Sequence, residues 1–117
     1  MKIILDYILQ FVTLDKAEID LFTSYLTSKK IKSNQIIFNK GSVCNSLFFV
    51  VSGAARSYFL NNEGMEYTWK FHFNDTDATF ENLFLVDYQS FLTQTPSFLS
   101  FEAINDLEVI ELRYESL

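Results

Sequence analysis

Residues 66–73 read Glu-Tyr-Thr-Trp-Lys-Phe-His-Phe. Tyr67, Trp69, Phe71 and Phe73 alternate with Glu66, Thr68, Lys70 and His72, and a period of two commits a segment to a β-strand. The alternation predicts an inner face of four aromatics, with His72 on a polar outer face. A strand with one apolar face cannot stand alone, so the rest of the chain must supply partners and a second layer.

The partners are legible on both sides. Short strand candidates fall at 29–32 and 36–38, separated by Ser33-Asn34-Gln35 and followed by the turn Asn39-Lys40-Gly41-Ser42. Leu47-Phe48-Phe49-Val50-Val51 is a continuous apolar run, as expected of a strand buried on both faces. Ser52-Gly53 breaks it, residues 54–60 resume as a strand, and Asn61-Asn62-Glu63-Gly64 is a hairpin turn. One or two short helices are expected within 80–92. Residues 98–103 and 107–112 read as a last hairpin joined at Asn105-Asp106.

The start of the chain has a helical period. Over residues 2–12, Ile4, Ile8 and Phe11 share a stripe with Tyr7 beside it. Thr13 offers an N-cap for a second helix over 14–28, with Asp15 and Glu18 in its first turn. The expected architecture is therefore mainly β with flanking helices (α+β). Helices occupy about 2–28, and an antiparallel sandwich, jelly roll or barrel occupies about 29–112, in one domain over 1–117.

Composition supports a packed domain. Of 117 residues 49% are hydrophobic and 13 are Phe, ample core for a chain of this length. Cys44 is the single cysteine, so no internal disulfide forms; it reads as a half-buried packing residue. No apolar run has the length of a membrane span, and Asp6 interrupts the only stretch resembling a signal peptide, so a cytoplasmic location is expected. The net charge of −6 argues against this chain gripping DNA. Lys29, Lys30 and Lys32 read as a solvated strand edge.

Catalytic chemistry finds little support. With one His and one Cys, a metal site of the cupin type lacks ligands, and no loop has calcium-binding periodicity. Ser and His are present, but nothing in the sequence brings them together as nucleophile and base. Arg56 reads as structural, pairing with Glu63 or Glu66 across its hairpin.

Several segments carry a family resemblance. Ile36-Ile37-Phe38-Asn39-Lys40-Gly41-Ser42 resembles the pair of early strands that meet at a glycine turn in Crp/Fnr-type regulators. Leu47-Phe48-Phe49-Val50-Val51-Ser52-Gly53 resembles the Ser-Gly-terminated strand of cyclic-nucleotide-binding domains. Arg56-Ser57-Tyr58-Phe59 with Glu63-Gly64-Met65-Glu66 is similar to the hairpin that follows, and Gln94-Thr95-Pro96-Ser97, Phe101-Glu102-Ala103 and residues 107–112 are similar to the last hairpin of the roll. The aromatic richness resembles the divergent members found in Bacteroidetes-type bacteria. The resemblance implies a double-stranded β-roll that senses a small molecule in a bacterial homodimeric transcription regulator. DNA would be read through a dimerisation helix and a helix-turn-helix domain, neither within these 117 residues. The chain stops at Leu117, about where the approach to that helix would begin.

In that family a Gly-Glu pair and an Arg-Ser or Arg-Ala pair hold the cyclic phosphate and ribose. Here Glu81 stands at the Glu position, with Phe80 in place of the glycine and Asn82 after it. Ser97 stands at the Arg position and Phe98 follows. Losing a charge-assisted contact costs about 1.5–3 kcal/mol, so cyclic AMP is expected to bind poorly or not at all. Glu81, Asn82, Thr95 and Ser97 are the candidate ligand-binding residues; no catalytic residue, metal or certain cofactor is expected, and the effector stays unnamed. The reading is a sensor domain, not an enzyme. A stand-alone module acting through protein contacts is the alternative, and a small cupin-type enzyme is the third.

Overall fold

The computed structural model describes residues 2–116. Helices α1 (Lys2–Ile8) and α2 (Lys16–Ser24) lead into strands β1 (Leu26–Ile31), β2 (Ile36–Phe38), β3 (Ser46–Ser52), β4 (Ala54–Leu60) and β5 (Glu66–Phe73). Helix α3 (Phe80–Leu83), β6 (Phe84–Leu85) and α4 (Tyr88–Thr93) form an insertion before β7 (Ser100–Ala103) and β8 (Leu107–Arg113). The strands build two antiparallel four-stranded sheets, ordered β1-β8-β3-β6 and β2-β7-β4-β5. Mostly β, with helices at the start and in one insertion, is the architecture the sequence predicts. None of the described helices is long and apolar enough to cross a membrane.

The core explains the strand patterns. β3 is buried on both faces. Phe49 packs towards α1, where the Tyr7 ring lies 5.9 Å away, while Phe48 and Val50 turn to the opposite face. Val109, Phe101 and Ala103, all fully buried, extend the core across both sheets. β1 is an edge strand, as its lysines imply, and Lys29 folds back to Glu111, with Nζ 2.9 Å from the carboxylate. Burial alone would raise the pKa of Glu111. Hydrogen bonds from Ser46 and Lys29 and the charges of Lys29 and Arg113 outweigh it and hold the carboxyl below its ordinary range.

Three expectations fail, each for a physical reason. The second helix is capped by Asp15, not Thr13. Asp15 accepts from the Glu18 N–H at 2.8 Å and its own N–H donates to the Glu18 carboxylate at 3.1 Å, a complete capping box. That helix ends at Ser24 because Leu26, Thr27 and Ser28 pair with Leu112, Glu111 and Ile110 of β8. Tertiary pairing overrides the helical pattern there.

The second failure is topological. Residues 98–103 and 107–112 do not form a hairpin, because β7 and β8 belong to different sheets. The chain crosses between sheets at 104–106, and it crosses again between β3 and β4 at Gly53. The two crossings touch. The Ala54 N–H donates to Asn105 Oδ1 at 2.7 Å, and the Ile104 N–H donates to the Ala54 carbonyl at 2.9 Å. A third connection joins them, with the Ser33 N–H on Asp106 Oδ1 at 3.0 Å and the Asn34 N–H on the Ala103 carbonyl at 2.8 Å. Gly53 sits at φ +85°, and a Cβ there would collide with the Asp106 carbonyl oxygen.

The third failure concerns β5. The aromatics expected inside are largely outside: Trp69 is 52% exposed and Phe71 54%, whereas His72 is 3% exposed. The ladder gives the cause. Tyr67 pairs with Phe59 and Thr68 with Tyr58, but the next pair is Lys70 with Ser57, which leaves Trp69 as an extra residue. This β-bulge breaks the alternation. Beyond it Lys70 and His72 fall on the face of Ser57 and Ala55, while Phe71 and Phe73 fall on the face of Arg56 and Ala54.

The outer face of this hairpin is held by Arg56. Its guanidinium bonds Glu66, as expected, and also Glu102 at 3.1 Å, over the Tyr58 ring. The crossover contact yields the first prediction. Gly53→Ala should lower stability by at least about 2 kcal/mol, through backbone strain and collision with Asp106. Urea unfolding measures this, and an unchanged midpoint would overturn the account of the crossover.

Candidate functional site

The bulge builds the site. It turns His72 onto the inner face of the β4–β5 pair, where Ser57 Oγ lies 3.0 Å from Nε2. The structure thus brings together a Ser and a His that the sequence leaves apart. Both are buried, Ser57 at 2% exposure. The carbonyls of Phe84 and Glu81 face the imidazole. We therefore assign the proton to Nδ1, leaving Nε2 to accept from the Ser57 hydroxyl. Among the described residues Nδ1 meets no acceptor in good hydrogen-bond geometry, although the Phe84 and Glu81 carbonyls lie close enough to favour the protonated ring.

Burial pushes the His72 pKa down to about 4, helped by the charge of Lys70 and opposed by the two carbonyls, so the ring is neutral at pH 7. Among the described residues no carboxylate hydrogen-bonds to this histidine, so within them the pair lacks the third member that orients a base in nucleophilic catalysis.

The insertion after β5 closes the site. α3 is tied to the bulged strand by Asn82, whose Nδ2 donates to the Phe71 carbonyl at 3.0 Å. Its Oδ1 accepts from the Thr79 N–H at 3.1 Å, capping the helix. α4 is capped by Asp87, which accepts from the Ser90 N–H at 3.3 Å. The second Asp87 oxygen accepts from Ser97 Oγ at 2.6 Å. Between this insertion and the β4–β5 hairpin lies a cavity of about 240 Å³. Ser57, His72 and Leu99 form its buried floor, and Trp69 and Phe98 its exposed rim. Their rings meet edge to face, centroids 6.2 Å apart.

The cavity is acid-rich. Glu81 and Asp87 line it, and Lys70, the one Lys or Arg among its described lining residues, points at Glu81 with Nζ 3.2 Å from the carboxylate. Among the described residues, no group of three or more His, Cys, Asp or Glu side chains is gathered where it could hold a metal ion.

The four sequence candidates are placed unequally. Glu81 lines the cavity, and Ser97 reaches its wall through Asp87. Asn82 acts as a cap and tie for α3. Thr95 lies in the loop after α4, with Oγ1 2.7 Å from Thr93 Oγ1 and its carbonyl accepting from Ser90 Oγ. Cys44 is fully buried rather than half-buried, its N–H on Ser90 Oγ at 2.8 Å, and burial raises its pKa. Sequence reasoning missed Ser57, His72, Lys70 and Trp69 as site residues. No glycine marks the bulge that gathers them.

Comparison with known proteins fixes the family. Residues 28–117 match the family described as "Cyclic nucleotide-binding domain". The chain belongs to that family. It is 27% identical over 100 residues to the anaerobic regulatory protein of Haemophilus influenzae, covering 81% of this chain and 39% of the relative. The catabolite activator protein of Thermus thermophilus has a TM-score of 0.71 and 24% identity, covering 91% of this chain and 46% of that one. The regulatory subunit of a cAMP-independent protein kinase A from Trypanosoma cruzi, bound to guanosine, has a TM-score of 0.72 and 14% identity, covering 88% and 34%. The chain thus spans less than half the length of each of these relatives, and the likeness to the two structures shows a shared β-roll fold.

A cyclic nucleotide-binding domain whose pocket floor is a neutral histidine has a testable titration. The His72 ring should titrate with a pKa of about 4 rather than 6.5. A group whose pKa is depressed on folding binds fewer protons in the native state. Stability should therefore fall as pH drops from 6.5 towards 4 and be steady above that window. This is the only histidine, so a single proton NMR resonance reads it; a pKa near 6.5 would show that the ring is not buried.

Proposed function

We propose that this chain is the ligand-sensing domain of a cytoplasmic, homodimeric, DNA-binding regulator of the Crp/Fnr type, and that cyclic AMP is not its ligand. The observation that carries the reading is the charge of the cavity. A cyclic phosphate needs a cation or free backbone N–H groups at its seat. Here the one lining Lys is engaged by Glu81, Ser97 stands at the family Arg position, and Ser97 is bonded to Asp87. An anion entering would meet two carboxylates.

The net charge of −6 supports a reading in which any DNA contact is made outside these residues. Likeness to the H. influenzae regulator and the T. thermophilus activator supports the sensor role.

Two measurements test this. Calorimetric titration with cyclic AMP should give no heat of binding up to about millimolar concentration, a level corresponding to only about −4 kcal/mol of affinity; micromolar binding would refute the ligand half of the proposal. The intact mass of the native protein in its source cells should be near twice 13.7 kDa, as a sensor followed by a second domain requires. A native mass of 13.7 kDa would instead favour a stand-alone module acting through protein contacts.

A further inference from the structure

The cavity that repels a phosphate is not featureless. At about 240 Å³ it lies just below the range of roughly 300–1,000 Å³ usual for drug-sized ligands. It suits one planar ring system with a short appendage. Its rim is aromatic: Trp69 and Phe98 are 52% and 56% exposed, although each has rings to pack against. Exposed aromatics at the mouth of a polar-floored cavity are the arrangement that stacks a heterocycle.

The floor is polar and uncharged. Ser57 and His72 form a hydrogen-bonded pair buried beneath the rim. Among the described residues Nδ1 of that buried histidine meets no acceptor in good geometry, although the carbonyls of Phe84 and Glu81 face the ring. Phe84 and Glu81 belong to the α3–β6 segment that walls the cavity, so the histidine links the floor to that wall. The side walls supply hydrogen-bond acceptors. Glu81 gives one oxygen to Lys70, which leaves its remaining lone pairs for sugar hydroxyls, and Gln89 offers an amide.

We infer that this cavity takes an uncharged nucleoside, with its base stacked against the rim that Trp69 and Phe98 form together and its sugar towards Glu81, and that the buried Ser57–His72 pair and this rim determine specificity. The inference rests on the sensor reading and names the ligand class of the same site. Phosphorylated forms are disfavoured by Glu81 and Asp87, whereas a neutral nucleoside brings no charge to oppose them and finds both donors and acceptors in the lining.

Adenosine and guanosine are the probes, followed by quenching of Trp69, the only tryptophan, and by calorimetry. At least one should bind saturably, at least about tenfold more tightly than cyclic AMP or the 5′-monophosphate. The His72 resonance should shift on binding. Phe98→Ala, at an exposed position, should fold normally and weaken binding about tenfold or more. His72→Gln should weaken it comparably; should that variant unfold, Phe98→Ala and the His72 shift still decide.

Saturable binding that Phe98→Ala leaves unchanged would place the nucleoside elsewhere and overturn the inference. Failure of both nucleosides, with cyclic AMP also silent, would overturn it while leaving the cyclic-AMP-independent sensor standing. Cyclic AMP binding as tightly as a nucleoside would overturn both.

Discussion

The fold depends on a contact between two places where the chain changes sheets. Neither sheet of the roll is a continuous stretch of sequence, since β3 and β8 serve one and β4 and β7 the other. The chain passes from one layer to the other six times, and three of those passages, at 32–35, at Gly53 and at 104–106, meet at one edge. Gly53 passes against the Asp106 carbonyl with no room for a side chain, and Asn105 closes the gap to Ala54. Because this contact sets how far β4 stands from β8, it also sets the depth at which Ser57 and His72 lie below the pocket mouth.

The pocket is made by a second local irregularity, the extra residue in β5. A regular strand would have turned the aromatics of 66–73 uniformly inward and left a greasy interior. With the bulge, the half of β5 next to the insertion presents Lys70 and His72, and the insertion answers with acids and carbonyls. The family architecture and this chain's own chemistry thus sit on different features, the first on sheet crossings and the second on one interrupted ladder.

That division explains what was legible in the sequence. Local patterns were strong where one residue's neighbours decide its environment, as in the apolar run of β3, the turn at Asn61 to Gly64 and the helical stripe of α1. They failed where partners distant in sequence decide. Leu26 to Ser28 satisfy a helical period, yet pairing with β8 draws them into a strand. Residues 98–112 satisfy a hairpin pattern, yet the second strand finds better partners in β1 and β3. His72 looked solvent-facing by parity, and parity is lost silently at a bulge without glycine. Of the site residues, Glu81 and Ser97 were visible through family resemblance, because their positions follow from segment order. Ser57, His72 and Trp69 were not, because their convergence follows from register.

Counted without Trp69, β5 alternates again: Tyr67, Lys70 and His72 on one face, Thr68, Phe71 and Phe73 on the other. Trp69 is thus one residue that the ladder absorbs, and by the register alone a chain without it would lose an aromatic at the pocket mouth and keep the paired residues on either side in place. A change in what the domain recognises can then arrive as a change in length, in a strand where substitutions of inward residues would disturb the packing of both sheets.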